Sequence, residues 1–151
     1  MDFRSEVLDL YTKYEYAVKK RDQLRLSSVF CYPFELQLSK GSKRVFRTQA
    51  EVLASAHNFY NACAFAGISK TVGKVQNIHL TGDREALLFS KARAYDKAGV
   101  EIATWRTSFY ITAASCPCPC TCIAKMDSSE LYQVMSDFGY PLQDARLVSV
   151  N

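Results

Sequence analysis

Seven residues, Cys116-Pro-Cys-Pro-Cys-Thr-Cys122, set four thiols at two-residue steps, and thiolates are the ligands that copper(I) and zinc favour. The spacing tells against a metal, because structural zinc sites leave two to four residues between paired cysteines. The alternating prolines favour polyproline geometry, which turns roughly 120° per residue and scatters successive thiols around the axis. The tract therefore reads as a loop, and no metal or other cofactor is expected. Cys31 and Cys63 read as small buried hydrophobes. Acid–base chemistry has its own candidates. His57 follows Leu53 by four residues and precedes Tyr60 by three, at the edge of an apolar helix face, and an imidazole titrates near neutral pH. His79 alternates with Asn77 and Val75, opposite Ile78 and Leu80, and alternation does not say which set faces the core. Tyr14 falls on the buried face of a helix, so its hydroxyl needs a partner. Trp105, Thr107, Phe109 and Ile111 share one face of a strand, with Thr104, Arg106, Ser108 and Tyr110 on the other. A buried Arg106 would need an acid, with Asp96 or Glu101 in reach if register allows.

These residues are carried by elements that the pattern of apolar residues predicts. Phe3, Val7, Leu10, Tyr14 and Val18 recur at helical steps, with Lys13, Glu15, Lys19 and Lys20 off that face. Asp22 caps a short second helix through about Phe30. Pro33 ends helical structure, and Phe34, Leu36 and Leu38 alternate with Glu35 and Gln37 as a half-buried strand. Gly41-Ser42 turns the chain into a basic strand, Lys43 to Arg47. Thr48 and Glu51 make a capping box for a third helix that Gly67 closes. Val72 to Leu80 follows as a strand. Asp83 to Thr112 then reads as a long hairpin, turning at Asp96-Lys97-Ala98-Gly99. A last strand, about Thr121 to Met126, precedes a helix with Leu131, Val134, Met135 and Phe138 on one face, ended by Gly139 and Pro141. Strands grouped after helices favour an α+β layout with a mainly antiparallel sheet. A long twisted hairpin after three helices points to a curved sheet around a helix, an architecture that encloses a pocket.

At 151 residues the chain fits one domain, which buries roughly 70% of its unfolded surface. With 48% apolar and 13% aromatic residues it has ample material for a core, which argues against disorder. The net charge is +4. Lys40, Lys43, Arg44 and Arg47 form the densest basic group, read as a solvated strand edge, so no nucleic-acid partner is expected. Acids near the N-terminus and the lack of a long apolar run predict a cytoplasmic protein with no membrane partner. Its six cysteines are then expected as reduced thiols.

The order of elements resembles the cone-shaped α+β barrel of the NTF2-like superfamily, which includes ketosteroid isomerases and SnoaL-like cyclases. The resemblance covers about residues 3–126, leaving a C-terminal helix and tail at 127–151 beyond the family core. It is carried by Tyr14, Asp22 and Phe30, by Tyr32-Pro33-Phe34, by the Gly82-Asp83 and Ala98-Gly99 turns, and by Trp105-Arg106-Thr107. It implies a single domain, N-terminal helices packed into a curved mixed sheet, and a homodimer through the outer sheet face. Ketosteroid isomerases place a tyrosine eight residues before the Asp that starts the second helix, as Tyr14 and Asp22 stand here, and that phenol donates to a developing oxyanion. Their general base falls sixteen residues beyond that Asp, where this chain has Leu38, which cannot accept a proton. Steroid isomerisation of that type is therefore not expected.

The expectation is that the chain binds a small apolar molecule, with Tyr14, His57, Tyr60, His79 and Trp105 as ligand-binding candidates and no catalytic residue assigned. Isomerase-, cyclase- or dehydratase-like turnover is the finer reading. The alternative is a non-catalytic dimeric protein–protein interaction module.

Overall fold

The computed structural model describes residues 2–39, 41–113 and 120–139. Lys40, Cys116, Cys118 and the tail from residue 140, with Pro141, lie outside the described residues.

Helix α1 (Phe3–Lys20) begins where Asp2 Oδ1 accepts the Ser5 N–H at 2.8 Å. It ends at Arg21, whose left-handed φ of 54° returns its N–H to the last helical carbonyls. Asp22 caps α2 (Gln23–Ser27), accepting from Arg25 N at 3.1 Å. This helix is shorter than expected. Phe30 and Cys31 are instead the first residues of β1 (Phe30–Ser39), because Phe30 pairs with Ile123 of the last strand. Sheet pairing there outweighs the local pattern.

After β2 (Ser42–Phe46), Thr48 caps α3 (Gln49–Phe65), and Glu51 reaches back to the Arg47 N–H. Gly67, at φ 77°, turns the chain out of that helix into β3 (Lys70–Gly82). Strands β4 (Glu85–Tyr95) and β5 (Glu101–Thr112) form the long hairpin. Asp96 ties its turn together, its carboxylate accepting from Ala98 N and Val100 N at 2.9 and 3.0 Å. Strand β6 (Cys122–Asp127) leads to α4 (Ser129–Asp137).

The six strands form one sheet in the order β2-β1-β6-β5-β4-β3. Only the β1–β6 pair is parallel; the others are antiparallel. Helix α1 packs on β3 and β4, and α4 packs on β5 and β1. Their shared core runs from Phe3, Val7 and Leu10 through Leu38, Leu88, Phe109 and Ile111 to Ile123. A second cluster gathers Cys63, Ile68, Trp105 and Met135 between α3, α4 and the sheet. This is an α+β fold with helices held against the inner face of a mixed, mostly antiparallel sheet.

One expectation is overturned. Cys31 and Cys122 are joined as a disulfide, with Cα atoms 5.5 Å apart and a sequence separation of 91. The β1–β6 pairing brings the two together, and no local spacing announces it. Cys63 is a buried thiol and Cys120 is exposed. Among the described residues no group of three or more His, Cys, Asp or Glu is placed to hold a metal ion. Among them, too, no helix is long and apolar enough to cross a membrane.

Candidate functional site

The inner face of β3–β5 is built in cross-strand rows. Ile78, Leu88 and Phe109 form an apolar row, all three buried. The next row is Val75, Ser90 and Thr107, and the one after it is Gly73, Ala92 and Trp105. Two small residues beside Trp105 leave room that its indole does not fill. Between these rows and the helices lies a cavity of about 120 Å³, lined also by Phe34, Phe59, Leu131 and Tyr132. Its wall is mainly apolar and rich in aromatic rings, Tyr11, Tyr14, Trp105 and Phe109 among them, and Ser55, Ser90, Thr107 and Ser128 also line it.

Tyr14 stands edge-on to Phe109, ring centres 5.0 Å apart, and 6.0 Å from Tyr11. Burial holds its phenol well above the usual range, and the neighbouring Tyr11 and Glu15 push it further the same way. Tyr14 lines the cavity as a protonated phenol, which can donate a hydrogen bond. Tyr11 is raised too, first by burial and next by the charge of Glu15, while a bond with Ser90 works against the shift. Its hydroxyl donates to Glu15 Oε2 at 3.2 Å.

That pair depends on Gly73. A Cβ there would overlap Glu15 Oε2 and stand 2.5 Å from Tyr11 Oη. Glycine is needed for space, since helix and strand come together at this point with two polar side chains between them. Neither Tyr11 nor Glu15 stood out in the sequence. Both flank the helix stripe of Phe3, Val7, Leu10, Tyr14 and Val18, and Glu15 was expected off it. The curved sheet wraps far enough round α1 to bring the flanks inside. The available signal was the i, i+4 spacing of Tyr11 and Glu15, which puts both side chains on one side of the helix.

The remaining candidates fall in different places. Trp105 is buried and lines the same cavity as Tyr14. Tyr60 is buried beside a separate void of about 20 Å³, which Phe59, Cys63 and Thr71 also line. Among the described residues its hydroxyl lacks a hydrogen-bond partner, and burial pushes it up to about 12. His57 is exposed on α3 and does not line the cavity. His79 is exposed on the outer face of the sheet, with Nε2 3.0 Å from Asn77 Nδ2 and its ring edge-on to Phe89. A bulge after Val75 explains this placement. Val75 pairs with Ser90 but Asn77 pairs with Phe89, so the extra residue carries Asn77 and His79 to the opposite face from Val75. Arg106 is also outside. Its Nε bonds Glu130 Oε2 at 2.9 Å, while Glu101 pairs with Arg93 and Asp96 is used in the turn. Leu38 is fully buried in the core, so that position supplies no proton acceptor.

No protein-family model matches the chain, and no curated protein matches its sequence. Solved structures do match. An NTF-2 like protein of unknown function from Shewanella oneidensis MR-1 is 13% identical, with 82% of this chain and 96% of that one covered and a TM-score of 0.63. A domain of unknown function with a cystatin-like fold, from Nostoc punctiforme PCC 73102, is 12% identical over 97% and 91% of the two chains, with a TM-score of 0.63. A ketosteroid isomerase-like protein from Erwinia carotovora atroseptica SCRI1043 is 13% identical over 82% and 92%, with a TM-score of 0.62. At such identities the likeness is one of fold. Element order, sheet topology and these neighbours agree that the chain has the NTF2-like, cystatin-like fold.

Proposed function

We propose that the chain binds a small, largely apolar molecule in the cavity between α1, α4 and the inner face of β3–β5. One observation carries this reading: a cavity of about 120 Å³ has a mainly apolar, ring-rich wall that Tyr14, Glu15, Ser90 and Thr107 also line. Concave, mainly apolar sites with a few converging polar groups are what small-molecule sites look like. Turnover of an isomerase, cyclase or dehydratase kind is the finer form of the proposal. The Tyr14 phenol would donate a proton or hydrogen bond, and Glu15, the one carboxylate in the lining, would accept a proton. The ketosteroid isomerase-like neighbour supports considering that chemistry, and Leu38 speaks against its steroid version.

Trp105 is the only tryptophan in the sequence and lines the cavity, so its fluorescence reports directly on occupancy. A panel of small aromatic and alicyclic compounds should include saturable quenchers, and Ala92→Phe, which fills the space beside Trp105, should abolish their effect. If no compound binds below millimolar concentration, or if Ala92→Phe binds them equally well, the reading is wrong.

A homodimer through the outer sheet face is part of the same proposal. Phe89 supports it, being 37% exposed there beside His79. Sedimentation of the wild type should give twice the mass found for Phe89→Glu, and a monomeric wild type would end that part of the idea.

A further inference from the structure

Resting on the reading of the cavity as a binding site, we propose that its ligand is an amine: a compact aromatic or alicyclic body bearing one protonated nitrogen, with Glu15 as its counter-charge. The argument starts from charge. Among the described residues Glu15 is the one acid that lines the cavity, and no Lys, Arg or His joins it there. Outside the cavity, acids such as Glu51, Glu85 and Asp96 accept from uncharged donors, while others hold cations. Glu6 holds Arg84, Glu35 holds Lys43, Glu101 holds Arg93 and Glu130 holds Arg106. Glu15, among the described residues, has no ion pair; its Oε2 accepts only the Tyr11 hydroxyl. Its remaining lone pairs are free to accept N–H donors.

The surroundings reinforce that polarity. The rings of Tyr11, Tyr14, Phe59, Trp105, Phe109 and Tyr132 line the same space, and aromatic faces carry the negative end of their quadrupole. The protein as a whole is +4, yet this interior is negative. A neutral apolar guest would strip water from Glu15 and leave the carboxylate uncompensated. An anion would add repulsion. An ammonium repairs the deficit and places its attached carbons against the rings. Size sets the class further: about 120 Å³ is room for about four waters at ~30 Å³ each, which limits the enclosed part of the guest to about one ring.

Phenethylamine, phenethyl alcohol and hydrocinnamate share a ring and a short spacer and differ in charge. Their dissociation constants are measured at neutral pH by Trp105 fluorescence and calorimetry, on the wild type and on Glu15→Gln. Phenethylamine should bind the wild type at least about tenfold more tightly than the alcohol, a gap of ~1.4 kcal/mol, with hydrocinnamate weakest. Glu15→Gln should bring the amine down to the level of the alcohol while leaving the affinity for the alcohol unchanged. If the alcohol or hydrocinnamate matches the amine, or if Glu15→Gln keeps the preference, the amine proposal is overturned and the apolar site survives. If none of the three binds, both fall. The ranking on the wild type decides the matter alone should the variant not fold.

Discussion

Replacing Gly73 by alanine adds one methyl group at the point where β3 passes closest to the polar groups of α1. The new Cβ would overlap Glu15 Oε2 and lie 3.1 Å from Glu15 Cδ and 2.5 Å from Tyr11 Oη. Real Cβ contacts of that length do not occur, so something must move. The strand is pinned by its ladder to β4, where Gly73 faces Ala92. Tyr11 is wedged edge-on against Phe109 with ring centres 5.6 Å apart. Glu15, at the end of a flexible side chain, is what yields, and its bond to Tyr11 breaks. A hydrogen bond to a charged group contributes about 1.5–3 kcal/mol. Against this, alanine in a strand ordinarily returns ~0.5–1 kcal/mol relative to glycine. The net is a loss of about 1–2 kcal/mol, or roughly 2–8 °C in Tm for a domain of this size. Urea denaturation followed by circular dichroism measures it. The same substitution in a Tyr11→Phe/Glu15→Ala background meets neither oxygen and should be neutral or stabilising, so the cycle reports the contact itself. A stabilising Gly73→Ala in the wild type, or an equal cost in both backgrounds, would show that the Tyr11–Glu15 pair does not lie over Gly73.

Alkaline pH should weaken the fold in two stages. Burial pushes the Cys63 thiol from 9.0 up to about 11, opposed by the charge of Arg21, and the Tyr60 phenol from 10.0 up to about 12. The folded protein therefore keeps protons that the unfolded chain has lost. Stability is full below about pH 9 and falls as pH rises toward 11 for the thiol, by ~3 kcal/mol, then from about pH 10 upward for the raised phenols of Tyr60, Tyr11 and Tyr14 together. Urea midpoints from pH 8 to 11 follow the decline, and Cys63→Ala should flatten the segment from 9 to 10; an unaltered slope there removes the thiol as its cause. Trp105→Ala should cost about 3–5 kcal/mol, because the indole is buried among Cys63, Ile68 and Met135; a loss under 1 kcal/mol would mean the second cluster is not packed as described. Arg106→Ala, by contrast, should change stability by less than ~1 kcal/mol, since its pair with Glu130 is solvent-exposed; a larger loss in a urea melt would give that pair a structural weight it lacks here.

Much of this protein is written locally. Asp22 and Thr48 cap helices because their side chains reach the orphan N–H groups of the first turn, and that depends on neighbours alone. The hairpin turns at Asp96–Gly99 because Gly99 supplies a φ of 82° and Asp96 an acceptor. Helical and alternating periodicity put Tyr14 on a buried face and Trp105 and Phe109 on a shared one, and all three line the cavity. What lay outside such rules needed the assembled sheet. A single bulge in β3 sent His79 outward, and period-two alternation cannot reveal a residue that breaks it. Cys31 found Cys122 at a separation of 91 residues, and Arg106 found Glu130 at 24, neither of which local spacing announces. Glu15 looked like a solvated helix residue until the sheet curved past the edge of the stripe and Gly73 opened a place for it. The sequence determined the elements and their aromatic faces; only tertiary structure decided which polar groups those faces enclose, because enclosure is set by curvature and register between segments far apart in the chain.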